Sequence, residues 1–107
     1  MRARFAIDEF LSVAAQVAAD GLFLDVGAGD LTHTRYVESA GIFRECHSID
    51  SFPHANAVHH MVGHFESHQF EHAYDAILAS HVLEHALNVH VFLSKIHLIL
   101  REGGVLC

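Results

Sequence analysis

The segment Leu22 to Thr34, LFLDVGAGDLTHT, constrains the fold of this chain more than any other. A short apolar run that breaks at glycine and resumes in a helical pattern is the strand, turn, helix unit on which nucleotide-type sites are built. Most such turns hold phosphate on the backbone N–H groups that open the following helix. Here carboxylates flank the turn, Asp25 and Asp30 standing on either side of Gly27 and Gly29. An anionic phosphate would be repelled by that pair, so the ligand expected at this end is neutral or cationic.

The rest of the chain repeats the alternation. Ile7, Phe10, Leu11, Ala14 and Ala18 follow helical spacing with Asp8, Glu9, Ser12 and Gln16 turned away, which predicts an amphipathic N-terminal helix within residues 1–20 that Gly21 ends. LFLDV (22–26) reads as a buried strand and THTRYVESAG as a helix stopped by Gly41. CHSID (46–50) reads as a second strand closed by Ser51 to Pro53, VHHMV (58–62) as a third closed by Gly63, and DAILA (75–79) as a fourth. Asn88 is placed to cap a helix whose apolar face is Val89, Phe92, Leu93, Ile96, Ile99 and Leu100, with Gly103 and Gly104 as its terminators and VLC as the start of a fifth strand. Strands alternating with helices imply an α/β fold, a Rossmann-like parallel sheet with helices on both faces. At 107 residues and 51% hydrophobic content the chain is a single domain with a real core, residues 21–107 forming the ligand-binding part. Phe5, Phe10, Phe43, Phe52, Phe65, Phe70 and Phe92 are assigned mostly to that core.

Charge excludes one class of partner. Six Lys and Arg against thirteen Asp and Glu leave a formal net charge of -7, the opposite of a nucleic-acid surface. No apolar run reaches the roughly 18 residues of a membrane span, and Asp8 and Glu9 interrupt what would have to be a signal segment. The expected setting is cytoplasmic, with Cys46 and Cys107 as free thiols.

In an open parallel sheet the ligand lies outside the carboxyl ends of the strands where strand order reverses. Asp25, Asp50, Gly63 with His64, and Ser80 with His81 all fall at or just past predicted strand ends. An acid about 20 residues beyond the glycine turn is the usual partner of ribose hydroxyls, and Asp50 stands there. The dinucleotide fingerprint would need glycine at position 32, which is Thr32. A ribose without phosphate and with positive charge beside the turn describes S-adenosylmethionine.

With these residues in place, the chain resembles the class I S-adenosylmethionine-dependent methyltransferases, in particular the small-molecule group with a VLEH signature. FLDVGAGD is similar to the first motif of that family, SIDSF to its ribose-binding acid, YDAILASHVLEH to its fourth motif and LREGGVL to its L-x-x-G-G-x-L end. The resemblance runs from about residue 20 to the end of the chain. It implies a cofactor set of Asp25, Gly27, Ala28, Gly29, Asp50, Ser51, His64, Phe65 and Ser80. Within that set the first-motif residues Asp25, Gly27 and Gly29 face the methionine part, Asp50 holds the ribose, and the turn at His64 covers the adenine. His81, Glu84 and His85 are the implied catalytic residues facing a small-molecule acceptor, a neutral His being able to take a hydroxyl proton. The chain departs from the family at Leu31, where a third glycine is usual, and at His64, where an Asp is usual. Family members carry two further strands after the G-G-x-L segment. This chain is expected to lack them, to expose a fifth-strand edge that promotes self-association, and to methylate poorly alone.

Three other readings use the same residues. A non-catalytic module that binds S-adenosylmethionine would need only the cofactor half. HVLEH (81–85) matches the H-x-x-E-H zinc pattern of inverzincins, but a third ligand and a cleft would have to come from the 22 residues after His85. His64, His68 and His72 suggest a His-rich metal-binding protein, yet on a helix the outer pair would lie about 12 Å apart, too far for one ion. No metal ligand is assigned from the sequence.

Overall fold

The structure, a computed structural model, describes residues 2–54, 57–79 and 88–107. Among these the element order is α1 (Arg2–Val17), β1 (Leu22–Val26), α2 (Thr32–Ser39), β2 (Glu45–Asp50), β3 (His60–Val62), β4 (Tyr74–Leu78), α3 (Val89–Ile99) and β5 (Leu100–Leu106). All strand pairings are parallel, and the five strands stand in the order β3-β2-β1-β4-β5. Strand order reverses between β1 and β4. No described helix is long and apolar enough to cross a membrane.

The sheet is covered on both faces. Leu22, Leu24, Val26, Ile49, Tyr74 and Ile77 pack with Phe92, Ile96 and Ile99 of α3. Phe23, Ala76 and Leu78 pack on the other side with Ile7, Phe10, Leu11 and Ala14 of α1 and Val37 of α2. Every residue of β1 is buried, as a strand covered on both faces requires. The apolar stripe predicted for α1 is buried at each of its positions. Asn88 caps α3 by accepting from Val91 N–H at 3.1 Å, and Gly41 takes a left-handed φ of 67° just past α2.

Several expectations are corrected. α1 stops at Val17, and Asp20, not Gly21, adopts the left-handed turn with φ 63°. Gly21 is needed for a different reason: a Cβ there would sit 2.5 Å from Asp75 Oδ2, the oxygen that accepts Leu22 N–H at 2.8 Å and ties the start of β1 to β4. β3 begins at His60, because Val58 and His59 form a turn at the sheet edge. α3 ends at Ile99, so Leu100 reaches the core from β5 instead of from the helix. Gly103 and Gly104 do not terminate the helix. They lie in a bulge where Leu100 pairs with Tyr74 and the next paired residue is Val105, opposite Ala76. Gly104 has no room for a Cβ, which would meet Arg101 O at 2.8 Å and Asp75 O at 2.9 Å. Val89 and Leu93 are about half exposed, since α3 buries only the narrow stripe of Phe92, Ile96 and Ile99. Phe52, expected in the core, is 67% exposed.

Candidate functional site

The carboxyl ends of β1, β2 and β3 open onto a cleft of about 220 Å³ lined by Val26, Gly27, Ile49, Asp50, Ser51, Gly63, His64, Phe65, Glu66 and Phe92. Register explains the convergence. Val26 pairs with Ile49 and Asp50 with Val62, so the three strands end at one level.

The glycine turn is held by β2. Gly27 N–H and Ala28 N–H both donate to Ile49 O, at 2.9 and 3.2 Å. Gly29 N–H donates to Asp50 Oδ2 at 2.9 Å, while Phe52 N–H donates to Asp50 Oδ1 at 3.1 Å. Leu31 N–H donates to Ala28 O and Thr32 N–H to Asp30 Oδ1, each at 3.0 Å. These backbone donors, which in a phosphate-binding turn would point at the ligand, are therefore taken up by the protein itself. Gly27 and Gly29 have left-handed φ values of 69° and 58°, and Leu31 adopts 68° where the related motif carries its third glycine. The turn thus closes in the glycine-type geometry despite the side chain.

Asp25 and Asp50 occupy different environments. Asp50 is half-buried on the cleft wall with both oxygens fixed by backbone donors. Asp25, 2% exposed, lies beneath the turn on the α2 side and is not among the described cleft-lining residues. Thr34 Oγ1 donates to its Oδ2 at 2.6 Å. Burial pushes the Asp25 carboxyl up to about 6, against the lowering effect of Thr34 and with a further push from the Asp50 charge. Exposed Asp30 is held below the usual carboxylate range by Thr32.

Of the residues singled out from the sequence, Gly27, Asp50, Ser51, His64 and Phe65 meet at the cleft, with Ala28 and Gly29 in the turn beside it. Phe65 is buried against Phe70 and Phe92, at ring distances of 5.4 and 4.9 Å, and forms an aromatic wall. Ser80, His81, Glu84 and His85 lie outside the described residues. The stretch around His64, His68 and His72 is turn and loop, not helix. Cys46 and Cys107 are free thiols, and burial above all pushes Cys46 up to about 12, too high for a reactive thiolate.

The sequence reading missed Thr34, His54, His60 and Glu66. His54 Nε2 donates to Gly29 O at 2.7 Å. His60 Nε2 donates to Phe52 O at 2.7 Å, so its Nδ1 accepts from Ser48 Oγ at 2.7 Å. Both histidines brace the two loops that frame Asp50. No periodicity marks such residues; His60 meets Ser48 through the β2–β3 register, and His54 meets Gly29 from the loop that follows β2.

The comparisons with known proteins agree with this architecture. A 1,6-didemethyltoxoflavin-N1-methyltransferase from Burkholderia thailandensis, solved with its acceptor and S-adenosylhomocysteine, superposes with a TM-score of 0.70 at 19% identity, over 90% of this chain and 48% of that one. The N-methyltransferase NodS from Bradyrhizobium japonicum WM9, solved with S-adenosylhomocysteine, superposes with a TM-score of 0.73 at 15% identity, over 92% of this chain and 56% of that one. The chain thus spans about half the length of these similar structures. No curated protein matches it. Its sequence matches the family described as Methyltransferase domain across residues 1–107, and the chain belongs to that family.

Proposed function

We propose that this chain binds S-adenosylmethionine in the cleft beside Asp50 and serves methyl transfer to a small-molecule acceptor. The observation that carries the reading is the hydrogen bonding of the turn: the N–H groups of Gly27, Ala28 and Gly29 are spent on Ile49 O and Asp50, so the site is not built for phosphate. No Lys or Arg stands among the described lining residues, whereas Asp50 and Glu66 do. Those carboxylate acceptors suit hydroxyls and a cation. An ionised carboxylate has about four lone-pair sites; Asp50 spends two on Gly29 and Phe52, which leaves two for a ribose diol. Phe65 and Phe92 offer an apolar wall to a base, and Ser51 and His64 stand beside it.

The cofactor, when bound, supplies a methyl carbon already made electrophilic by its sulfonium, so the protein's task is to position it and exclude water. Asp50 orients the ribose, and the braced turn fixes the methionine end. His81, Glu84 and His85 follow β4 in the sequence. We assign them to the acceptor, His81 or His85 taking the acceptor proton. Asp50→Ala is expected to weaken S-adenosylmethionine binding by about 1.5–3 kcal/mol, the worth of hydrogen bonds to a charged group. Calorimetric titration checks this, and unchanged affinity overturns the ribose assignment. The chain spans about half the length of the similar structures, and the second reading is a cofactor-binding portion of such an enzyme. Binding without methyl transfer to a panel of acceptors would select it.

A further inference from the structure

At the opposite end of β2 from the cleft, Glu45, His47 and His59 each direct one ligand atom to a common point, all of those atoms lying within 4.8 Å of one another. The geometry points to a binding site for a single divalent transition cation of the zinc class, held by Glu45 Oε1, His47 Nε2 and a ring nitrogen of His59. The backbone dictates the grouping. Glu45 and His47 are two apart on a strand and share a face. Ser48 pairs with His60, which sets His59 beside His47 from the neighbouring chain segment.

Glu45 Oε1 lies 2.9 Å from His47 Nε2 and 3.9 Å from His59 Nε2. Tetrahedral coordination at about 2.0–2.2 Å needs ligand atoms roughly 3.3–3.5 Å apart, so changes of about half an ångström in the two Glu45 distances, and of up to about 1.4 Å between the two imidazoles, admit an ion. Imidazole and carboxylate together select borderline cations over calcium or magnesium. His47 is buried, and its other ring nitrogen, Nδ1, lies 2.9 Å from the hydroxyl of fully buried Tyr74. A ligating histidine is typically oriented through its second nitrogen in this way. On binding, the His47 proton shared with Glu45 moves to Nδ1 and is donated to Tyr74 Oη, which leaves Nε2 free for the ion. A pocket of about 380 Å³ adjoins the cluster, and His68, Glu71 and His72 on its wall give room for a water or a fourth ligand. The His72 ring stands edge-on to His47 at 5.4 Å.

The test is a titration of the chelator-stripped full chain with Co(II), followed by its visible absorption, with Zn(II) as competitor. One tight equivalent is expected, undisturbed in His90→Ala, a histidine outside the cluster. His59→Ala and Glu45→Gln change exposed or half-exposed side chains, and each should weaken binding more than about a hundredfold, a ligand being worth at least what its supporting group is. Circular dichroism of the metal-free variants establishes that they fold. Tyr74→Phe, which alters only the positioning of His47, should weaken binding about 10–100-fold with the cobalt spectrum retained. Unaltered affinity in both His59→Ala and Glu45→Gln, or an equal loss in His90→Ala, would overturn the site and mark binding as adventitious, spread over the twelve histidines.

Discussion

Asp25, expected from the sequence to face the methionine part, is almost fully buried beneath the turn, where Thr34 Oγ1 donates to its Oδ2. Its carboxyl titrates near 6, against 3.8 for the free side chain, chiefly because burial penalises its charge. The native state therefore binds more protons than the unfolded state between those two values, so its contribution to stability falls as pH rises from about 4 to 6 and is flat above. Two pKa units correspond to about 2–3 kcal/mol. Asp25→Asn keeps an acceptor for Thr34 but cannot ionise, and denaturant unfolding at a series of pH values should show that fall removed. An identical slope in wild type and variant would contradict the assignment. Leu31 presents the reverse case, a side chain where backbone geometry favours glycine. Its left-handed φ costs about 1–2 kcal/mol, but the side chain is almost fully buried, and losing it costs about 2–5 kcal/mol. Leu31→Gly is expected to lower stability by roughly 1–3 kcal/mol, read from the unfolding midpoint; a gain would mean that backbone strain outweighs burial.

Elements were legible wherever one periodicity ran unopposed. The α1 stripe, the β1 run, the Asn88 cap and the Gly41 stop all follow from spacing, because each is a local consequence of burial or of a single backbone geometry. What spacing could not reveal depends on partners far along the chain. Gly103 and Gly104 look like a helix stop, yet they serve a bulge that only pairing with β4 creates. The Glu45, His47 and His59 cluster has no motif because it arises from the β2–β3 register, whereas the regular His64, His68 and His72 run has no helix to sit on. The acids at the strand ends were visible, but that Asp50 lines the cleft while Asp25 is buried depends on how the strands and turns pack. At this scale Gly21 is the sharpest case: Gly21→Ala forces a methyl against Asp75 and breaks its bond to Leu22 N–H. A loss of about 1–3 kcal/mol in denaturant unfolding is expected, and wild-type stability would show that Asp75 can give way at no cost.

For the whole molecule, the parallel sheet places two chemistries at its two ends, a cleft at the strand carboxyl termini and a histidine cluster at the start of β2. β5 is an edge of the sheet and Leu106 on it is half exposed. The bulge between Tyr74 and Ala76 and the exposed Arg101 and Glu102 interrupt the pairing of β5 with β4, which resumes at Val105 and Leu106. The central claim, that the turn and Asp50 form an S-adenosylmethionine site and not a phosphate site, is tested most directly by calorimetric titration of the chain with S-adenosylmethionine and, separately, with a nicotinamide dinucleotide. The account predicts one site for S-adenosylmethionine, displaced by S-adenosylhomocysteine, and no heat with the dinucleotide. Saturable dinucleotide binding, with none for S-adenosylmethionine, would contradict it.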